Sequence, residues 1–426
     1  MPDRASQTDG TGLLLETLRL GVVPDDGASA YTVGRDALLA VIDRDLDDAD
    51  GGTGATRCVL GGYGTGKTHL LELIAERARA RNFLVARAVL DPLETAPSHP
   101  RRVYAALMQS LSYPETGDAA RGLGPLLQKA ANSPEALTLF DVQHGRLTSF
   151  EPERGQHLYL TTALRWFRAL GDSHENEAAR SVLLQWIEGL PSALTEDVNA
   201  TLRAAARNQG HLYSLQDFRP WARIYGYLLS GIAAMARATG YAGLVVLLDE
   251  AEFYSLLSTE DQRYAQTLFQ AMSYAAVGST SDLPFLREDL EIGGSGVLKR
   301  LPPRYAEQSH LYVSFAMTPH EAGVEALRQA VPADCIVELP HLEPSDYDEL
   351  VRRVLTVFEG AEPDAELPGG LNGPLAQVVR GLLSTGVVEN PRQAIKFLVQ
   401  FLDTAHRQPR ELPQVFRTLR DQLPLG

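Results

Sequence analysis

The sequence predicts an α/β protein built on a mostly parallel β-sheet. Five short apolar runs are separated by segments with helical periodicity, and this alternation is typical of parallel strands joined through helices. One of the runs, LVVLL at 244–248, is apolar at every position, as expected for a strand buried on both faces. The five predicted strands are 57–60, 83–90, 244–248, 310–320 and 335–340.

The segments around these strands indicate four regions. Residues 11–46 are predicted to form two helices, and the chain beyond Pro344 to form three or four. Between 115 and 238, amphipathic helical patterns are interrupted by proline and glycine, and no segment is a convincing strand. We therefore divide the chain into N-terminal helices with the first part of the core (1–114), a helical insertion (115–238), the second part of the core (239–340) and a C-terminal helical lid (341–426).

The composition is that of an ordinary soluble protein. Of the 426 residues, 44% are apolar and 22% charged. No apolar run reaches the length of a bilayer, and the start MPDRASQTDG has no export-signal pattern, so we expect a cytoplasmic protein without membrane contact. The formal net charge of −15 argues against strong nonspecific binding of a monomer to DNA. Two arginine clusters, at 77–87 and 101–102, are then either local basic patches or solvated surfaces.

The most specific motif is GGYGTGKT at 61–68, which matches the phosphate-binding pattern G-x-x-x-x-G-K-[ST] between a predicted strand and helix. Its glycines let backbone N–H groups approach an anion, and the following helix adds its positive end. Lys67 is predicted to contact the β- and γ-phosphates and Thr68 to ligate Mg²⁺, whereas the alternative is a glycine-rich turn that binds nothing. The residues predicted to bind ATP here are Gly61, Gly62, Tyr63, Gly64, Thr65, Gly66, Lys67, Thr68 and His69.

Two acidic residues supply the predicted second half of the site. Asp249 and Glu250 close the buried strand LVVLL. A carboxylate at the end of such a strand can hold Mg²⁺, so we assign this role to Asp249. Glu250 is then predicted to activate a water molecule for attack on the γ-phosphate. The alternative is that Asp-Glu only begins a helix, where the helix dipole favours acidic residues.

Three further positions are candidates with open alternatives. Thr318 ends the fourth strand and either senses the γ-phosphate or caps a helix. Arg392 lies in the first turn of a helix, where a cation is unfavourable, so it either faces the nucleotide phosphates or is an ordinary surface arginine. The segment containing Gly34 and Arg35 precedes the first strand and is expected to pack around the adenine.

One loop is a candidate for completing the site of a neighbouring subunit. Arg300 and Arg304 lie between the Asp249 strand and the Thr318 strand, near glycines that would let the loop move. An arginine supplied in this way would stabilise charge in the transition state. The alternative is a flexible surface loop with solvated arginines.

Taken in order, VGR at 33–35, the phosphate loop, LVVLLDE at 244–250, the strand before Thr318 and NPR at 390–392 resemble additional-strand P-loop ATPases of the AAA+ and STAND kind. The resemblance implies five core strands in the order 5-1-4-3-2 with a helical lid. The separation of Thr68 and Asp249 is several times that usual in this class, which implies the insertion.

A narrower resemblance covers about residues 15–405. The stretches ETLRLGVVPDDGASAYTVGRD, GGYGTGKTHLLELIAERARARNFLVARAVLDP, RRVYAALMQSL and GYAGLVVLLDEAE are similar to the ATP-binding proteins of bacterial BREX phage-defence systems, the BrxC/BrxD family. The length is closer to the shorter BrxD type. The resemblance implies a defence role beside a helicase, a methyltransferase and a phosphatase-like component. It also assigns phosphate and Mg²⁺ binding to Lys67 and Thr68, metal binding to Asp249, and water activation to Glu250.

We therefore predict an ATPase with ATP and Mg²⁺ as cofactors, whose turnover assembles or remodels a DNA-acting complex. The protein is expected to be a homo-oligomer and to reach DNA indirectly or only as an oligomer. Two alternatives remain: a DNA-translocating motor, and a signalling switch that hydrolyses ATP slowly. A small-molecule kinase fits least, because nothing resembles an acceptor-binding lid.

Overall fold

The computed structural model describes residues 4–115, 117–144, 150–190, 194–279, 282–290, 296–365 and 367–408. The chain divides into two compact units. The first, here called the loop unit, comprises Met1–Ile42, Gly61–Glu76 and Glu338–Gly426. The second, the sheet unit, comprises Asp43–Leu60 and Arg77–Val337. The predicted α/β class is confirmed.

The β-sheet has seven strands: β1 (Ala55–Leu60), β2 (Leu84–Val89), β3 (Ser112–Tyr113), β4 (Gly117–Arg121), β5 (Leu244–Asp249), β6 (Leu311–Met317) and β7 (Ile336–Glu338). They lie in the order β4-β3-β2-β5-β6-β1-β7. The pairs β1–β6, β5–β6 and β2–β5 are parallel, whereas β3 is antiparallel to both β2 and β4. The sheet is therefore mixed.

The five-strand prediction was wrong by two strands at one edge. β3 has only two residues and β4 has the sequence GDAAR, so neither shows the apolar run or the alternation by which strands are recognised. The predicted absence of strands from 115–238 was wrong for the same reason. These strands exist because backbone hydrogen bonds extend the sheet beyond β2, a contact that the local sequence does not encode.

Eleven of the described helices lie wholly or partly in the sheet unit, besides the 3-10 turns. Before β5 they are α2 (Asp36–Asp50), α3 (Lys67–Ala80), α4 (Pro100–Ser110), α5 (Gly124–Ala131), α6 (Pro134–Leu139), α7 (Leu160–Leu170), α8 (Glu177–Ile187), α9 (Thr195–Ala205) and α10 (Ala222–Ala238). Helix α11 (Thr259–Val277) follows β5, and α12 (Glu321–Arg328) follows β6. Helices α2 and α3 contribute to both units.

The core of the sheet unit joins the strands to the central helices. Helix α10 is buried over nearly its whole length, which explains its largely apolar sequence. A Cβ atom at Gly226 would lie 2.8 Å from the carbonyl oxygen of Ala271, so glycine allows α10 and α11 to pack closely. On the other side of α11, the rings of Phe269 and Phe315 are 5.4 Å apart in an edge-to-face arrangement.

The loop unit has its own core, formed by helices from both ends of the chain. Helix α1 (Arg4–Leu20) packs with α13 (Pro344–Ala361) and α15 (Pro391–Arg407), and α14 (Asn372–Ser384) packs on α13. Arg19 of α1 forms ion pairs with Asp403, at 2.6 Å, and with Glu362, at 2.9 Å. The N-terminal helix and the C-terminal helices are therefore one packed body.

The parallel register aligns the carboxyl ends of the central strands. Leu60 of β1 pairs with Met317 of β6, and Leu248 of β5 pairs with Phe315 of the same strand. Asp249, the last residue of β5, is thus at the same edge of the sheet as Leu60. The chain continues from Leu60 directly into the predicted phosphate loop. In parallel sheets, ligands bind outside this edge.

Candidate nucleotide-binding site

The predicted phosphate loop has the backbone that its glycines allow. Gly64 and Gly66 have φ of 74° and 103°, a region that strains other residues. Within the loop, the Thr65 hydroxyl donates a 2.8 Å hydrogen bond to the carbonyl oxygen of Gly62. Helix α3 begins at Lys67, whose Nζ lies 3.4 Å from that same oxygen. The loop therefore curls directly before a helix N-terminus, the arrangement that binds phosphate groups.

Helix α15 contacts the loop at Gly64. A Cβ atom at Gly64 would lie 2.7 Å from Cγ of Asn390. Asn390 in turn caps α15, because its side-chain oxygen accepts a 3.1 Å hydrogen bond from the backbone N–H of Gln393. Both the positive φ and the approach of Asn390 require glycine here. The sequence predicts a helix with Arg392 in its first turn, but not that Asn390 is a neighbour of the loop.

Arg35 also holds the loop. Its guanidinium group donates hydrogen bonds to the carbonyl oxygens of Thr65, at 3.0 Å, and Pro340, at 2.5 Å. The side chain is buried, and burial lowers its pKa from the ordinary value. The neighbouring Gly34 has φ of 63°, and a Cβ atom there would lie 2.6 Å from a carboxylate oxygen of Asp346. Gly34 and Arg35 were predicted to pack around the adenine. The contact that the structure describes is the hydrogen bond from Arg35 to Thr65, which fixes the backbone of the phosphate loop.

His69 connects helix α3 to the segment before Gly34. One ring nitrogen is 2.8 Å from the hydroxyl of Thr32, and the other is 3.1 Å from the hydroxyl of Tyr31. The rings of Tyr31 and His69 are 4.7 Å apart. Burial, aided by the nearby Arg35, lowers the pKa of His69 to about 4. The imidazole is therefore neutral at physiological pH and bridges two parts of the loop unit.

Arg392 lies beside the exposed tip of the loop. Its Nη1 is 3.4 Å from the hydroxyl of Tyr63, and its guanidinium carbon is 6.0 Å from the centre of that ring. The Tyr63 side chain is 78% exposed. Arg392 thus has a weak contact with the loop, and its predicted role toward phosphate groups stays a prediction.

In the sheet unit, Asp249 and Glu250 form a tight acidic turn. Asp249 is buried at the end of β5, and its Oδ1 accepts a 2.9 Å hydrogen bond from the backbone N–H of Glu250. Glu250 has φ of 58° and ψ of 34°, a left-handed conformation that non-glycine residues rarely adopt. A 3-10 helix, Ala251–Leu256, does begin after Glu250, but the Glu250 side chain forms no capping hydrogen bond there.

Thr318 contacts a third acidic residue, Glu252. The Thr318 hydroxyl donates to one carboxylate oxygen of Glu252, at 2.5 Å, and its backbone N–H donates to the other, at 3.0 Å. Burial alone would raise the pKa of Glu252, but hydrogen bonding to the carboxylate, in which the two bonds from Thr318 are the largest contributions, outweighs it and the pKa is lowered. The capping alternative for Thr318 was wrong, because His320 occupies the N-cap of α12. Glu252 stands two positions after Glu250 in the sequence DEAE, which makes it the first alternative to Glu250 as the catalytic carboxylate, but nothing in the sequence indicates its contact with Thr318.

A comparison with protein families matches the family described as BREX system ATP-binding protein BrxC/D, over residues 8–132 and 145–286. The match spans more than half of the chain. The chain belongs to this family. The matched residues include the whole phosphate loop and the turn at Asp249 and Glu250, and they end before Thr318 and Arg392. An ATP-binding role in BREX defence follows from family membership.

Two further comparisons accompany the BrxC/D match. Among solved structures, the chain is similar to "the Walker-type ATPase PABY2304 of Pyrococcus abyssi", with 11% identity, a TM-score of 0.35, and coverage of 91% of this chain and 76% of that one. The comparison with curated proteins found no match.

In this BrxC/D chain, several arginines singled out in the sequence pair with carboxylates of their own unit. Arg77 and Arg81 of α3 contact Asp43, and Arg102 contacts Asp217 at 2.8 Å. These ion pairs agree with the solvated-surface alternative. The Arg304 side chain is half-buried against Gly278 and donates to the carbonyl oxygen of Glu307. The side chain of Arg300, the other candidate for acting on a neighbouring subunit, lies outside the described part of the structure.

Among the described residues of this BrxC/D chain, no group of three or more His, Cys, Asp or Glu side chains could hold a metal ion. The predicted Mg²⁺ ligands, one hydroxyl and one carboxylate, are not a cluster of that kind. Within the same residues, no helix combines the length and apolar character needed to cross a bilayer.

Proposed function

We propose that this BrxC/D chain is an ATPase of a BREX defence system, whose turnover assembles or remodels a complex that acts on DNA. The observation that carries the proposal is the phosphate loop. Two of its four glycines, Gly64 and Gly66, have positive φ, and helix α3 begins at the motif lysine, Lys67. A loop of this geometry presents backbone N–H groups and a helix N-terminus to an anion.

In this proposal, Lys67 contacts the β- and γ-phosphates of ATP, and Thr68 and Asp249 are the protein ligands of Mg²⁺. A hydroxyl and a carboxylate suit Mg²⁺, which prefers oxygen ligands and takes few of them from the protein. The ion would neutralise phosphate charge. Glu250 orients a water molecule and accepts its proton as the oxygen attacks the γ-phosphorus. Gly34 and Arg35 border the adenine, and Arg392 faces phosphate.

The division made from the sequence becomes part of the proposal. Residues 115–238 are an insertion in an ATPase core of the AAA+ and STAND kind, and 341–426 act as its helical lid. We place the reaction in the cytoplasm, with homo-oligomers acting beside helicase, methyltransferase or phosphatase-like components. Of the two family types, the shorter BrxD is the one proposed.

The test compares Lys67→Ala with Lys396→Ala, a matched removal of an exposed lysine on α15. We expect Lys67→Ala to lose ATP binding by calorimetry and hydrolysis by phosphate release, with an unchanged circular dichroism spectrum. The Lys396→Ala variant should behave as wild type. Normal hydrolysis by folded Lys67→Ala protein would refute the assignment.

The same assays separate the proposal from its alternatives. Turnover that rises strongly with duplex DNA would favour a translocating motor. Slow turnover that is independent of DNA, with ATP retained through gel filtration, would favour a signalling switch. The mass of the ATP-bound species gives the oligomeric state in each case.

A further inference from the structure

One face of helix α3 holds the start of a short turn from the N-terminal part of the chain. Residues Ala28–Tyr31 form a 3-10 helix, here called the 28–31 turn, whose N-cap, Gly27, provides no side-chain hydrogen bond to it. Glu76 of α3 supplies the acceptor instead. Its two carboxylate oxygens accept from the backbone N–H groups of Ala28, at 2.5 Å, and Ser29, at 3.2 Å. The first N–H groups of the turn, which have no partner within it, are therefore bonded to a charged acceptor on α3.

His69 of α3 holds the other end of the same turn. The hydroxyl of Thr32 donates to the carbonyl oxygen of Ala28, at 2.8 Å, so its oxygen is left to accept from Nε2–H of His69, also at 2.8 Å. Nδ1 of His69 then accepts from the hydroxyl of Tyr31, at 3.1 Å. Both ring nitrogens are thus used, and the imidazole bonds the end of the turn to α3.

The spacing of these two residues of α3 matches the length of the turn. His69 and Glu76 are seven positions apart (76 − 69), so they lie on one face of α3, roughly 10.5 Å apart along its axis. The 28–31 turn rises about 2 Å per residue, which makes it roughly 8 Å long. Both ends can therefore be bonded at the same time, and the loss of either bond would release part of the turn from α3.

The chain runs from the turn directly into the segment proposed to border the adenine. Two residues separate the turn from Gly34 and Arg35. The phosphate loop is held separately, by the hydrogen bond from Arg35 to Thr65 and by the one within the loop from Thr65 to Gly62. The bonds that His69 and Glu76 make to the turn and to Thr32 do not involve either of these. We therefore expect them to affect the base side of the site and not the phosphate side.

We propose that His69 and Glu76 are positioning residues for the adenosine part of ATP, because they hold on α3 the turn that leads into Gly34 and Arg35. This inference rests on the proposed function, in which that segment borders the adenine and the phosphate loop binds the phosphates. His69 then acts through the turn and not as a contact of the phosphate groups. The affinity for ATP should depend on these two side chains, whereas the affinity for a triphosphate without a nucleoside should not.

The first experiment compares ATP with inorganic tripolyphosphate, each with Mg²⁺, by calorimetry on the full chain. Because each substitution removes two hydrogen bonds, we expect His69→Ala and Glu76→Ala to weaken ATP binding about tenfold. Binding of tripolyphosphate should stay within about twofold of wild type. The control His174→Ala removes a histidine of the sheet unit whose side chain is 96% exposed, and should change neither affinity.

Two results would overturn the proposal. Equal losses for ATP and tripolyphosphate would show that these side chains position the phosphate loop, and unchanged binding of both ligands would show that they position neither part. Glu76→Gln keeps one carbonyl acceptor and should recover part of the affinity for ATP. If an alanine variant fails to fold, Glu76→Gln and Thr32→Val provide the same comparison with smaller changes.

The second experiment tests whether His69 acts through Thr32. Thr32→Val keeps the side-chain shape but removes the hydroxyl that accepts from His69. If His69 acts through the turn, the double variant His69→Ala with Thr32→Val should weaken ATP binding by less than the product of the two single effects. Losses that multiply fully would mean that His69 acts independently of the turn, and the proposal would fail.

The third measurement, amide hydrogen exchange, requires no nucleotide. The N–H groups of Ala28 and Ser29 donate to Glu76, so they should exchange about tenfold faster in Glu76→Ala and at the wild-type rate in His174→Ala. Unchanged exchange in Glu76→Ala would show that α3 does not hold the turn, which refutes the proposal. If the wild-type protein bound neither ATP nor tripolyphosphate, the proposed function would fail and the role toward adenosine with it. The exchange rates would still decide whether α3 holds the turn.

Discussion

The loop unit and the sheet unit hold their candidate residues in different ways. In the loop unit, the phosphate loop is fastened by side chains distant in sequence, with Arg35 on one carbonyl oxygen and Asn390 against Gly64. In the sheet unit, the acidic turn is fixed by strand β5 and by a hydrogen bond from the end of the adjacent strand. The loop thus depends on both ends of the chain, whereas the turn depends on the sheet.

The two regions also differ in how they use left-handed backbone. Gly64 reaches φ of 74° at no steric cost to itself, and a side chain there would strike Asn390. Glu250 reaches φ of 58° with a full side chain, which costs on the order of 1 kcal/mol or more. This backbone cost is compatible with the role that we propose for the Glu250 carboxylate. Position 64 thus has no room for a side chain, whereas position 250 carries one despite its backbone conformation.

The largest expected effect tests the turn. Glu250→Gln keeps the size of the side chain and removes its basicity, so hydrolysis should fall by about 10²–10⁴-fold while ATP binding persists. Single-turnover phosphate release and calorimetry measure the two quantities. Glu196→Gln, at an exposed glutamate in the first turn of α9, is the matched control. An unchanged rate in Glu250→Gln would transfer the role to another carboxylate, with Glu252 the first to examine.

The next effect tests the glycines of the loop. Gly64→Ala should destabilise the nucleotide-free protein by about 1–3 kcal/mol, because alanine meets both a left-handed backbone and Asn390. Gly62→Ala should cost much less, since a Cβ atom there meets only the Thr65 methyl group, at an ordinary 3.5 Å. Urea denaturation of both variants measures the difference. Equal losses would mean that neither the left-handed backbone nor the approach of Asn390 adds to the cost at Gly64.

A comparable or smaller effect tests the arginine that holds the loop. Arg35→Ala leaves the carbonyl oxygens of Thr65 and Pro340 without their donors, and should cost about 1–3 kcal/mol of stability and weaken ATP binding. Arg35→Lys keeps the charge but has no fork to reach both oxygens, so it should recover only part of the loss. If Arg35→Lys matched wild type in both assays, the role of Arg35 would be that of a simple charge.

The smallest effect concerns pH. Because burial lowers the pKa of His69 to about 4, the unfolded chain binds a proton at a higher pH than the folded protein does. This contribution to stability is complete above the ordinary histidine pKa of about 6.5 and is lost as the pH falls toward 4. His69→Gln should therefore reduce the loss of unfolding free energy between about pH 7 and 5. His157 of the sheet unit, whose pKa burial lowers to about 3, should maintain part of that loss in the variant.

Urea titrations of wild type and His69→Gln at several pH values provide the measurement. An identical slope in the two proteins would show that His69 takes up its proton equally in the folded and unfolded states.

Much of the fold was predictable because its signals are local. These signals are patterns in the local sequence. They include the apolar run 244–248, the strand–loop–helix order around Lys67 and the helical periodicity beyond Pro344. The same holds for the helix start before Arg392, since Asn-Pro before an apolar pattern marks a helix start. Strands β3 and β4 were not predictable. They are held by backbone hydrogen bonds at the edge of the sheet, which do not require apolar or alternating side chains.

By itself, the sequence determined the phosphate loop, the acidic end of β5 and the chemical types of the candidate residues, because glycine, lysine and carboxylate impose their conformational and ionic properties locally. Only the tertiary structure decided which side chains hold those residues. Arg35 contacts the loop from tens of residues earlier in the chain, and Asn390 contacts it from hundreds of residues later. Thr318 contacts Glu252 because β5 and β6 are paired. Such contacts arise from the packing of separate elements, which leaves no period or spacing in the sequence to reveal them.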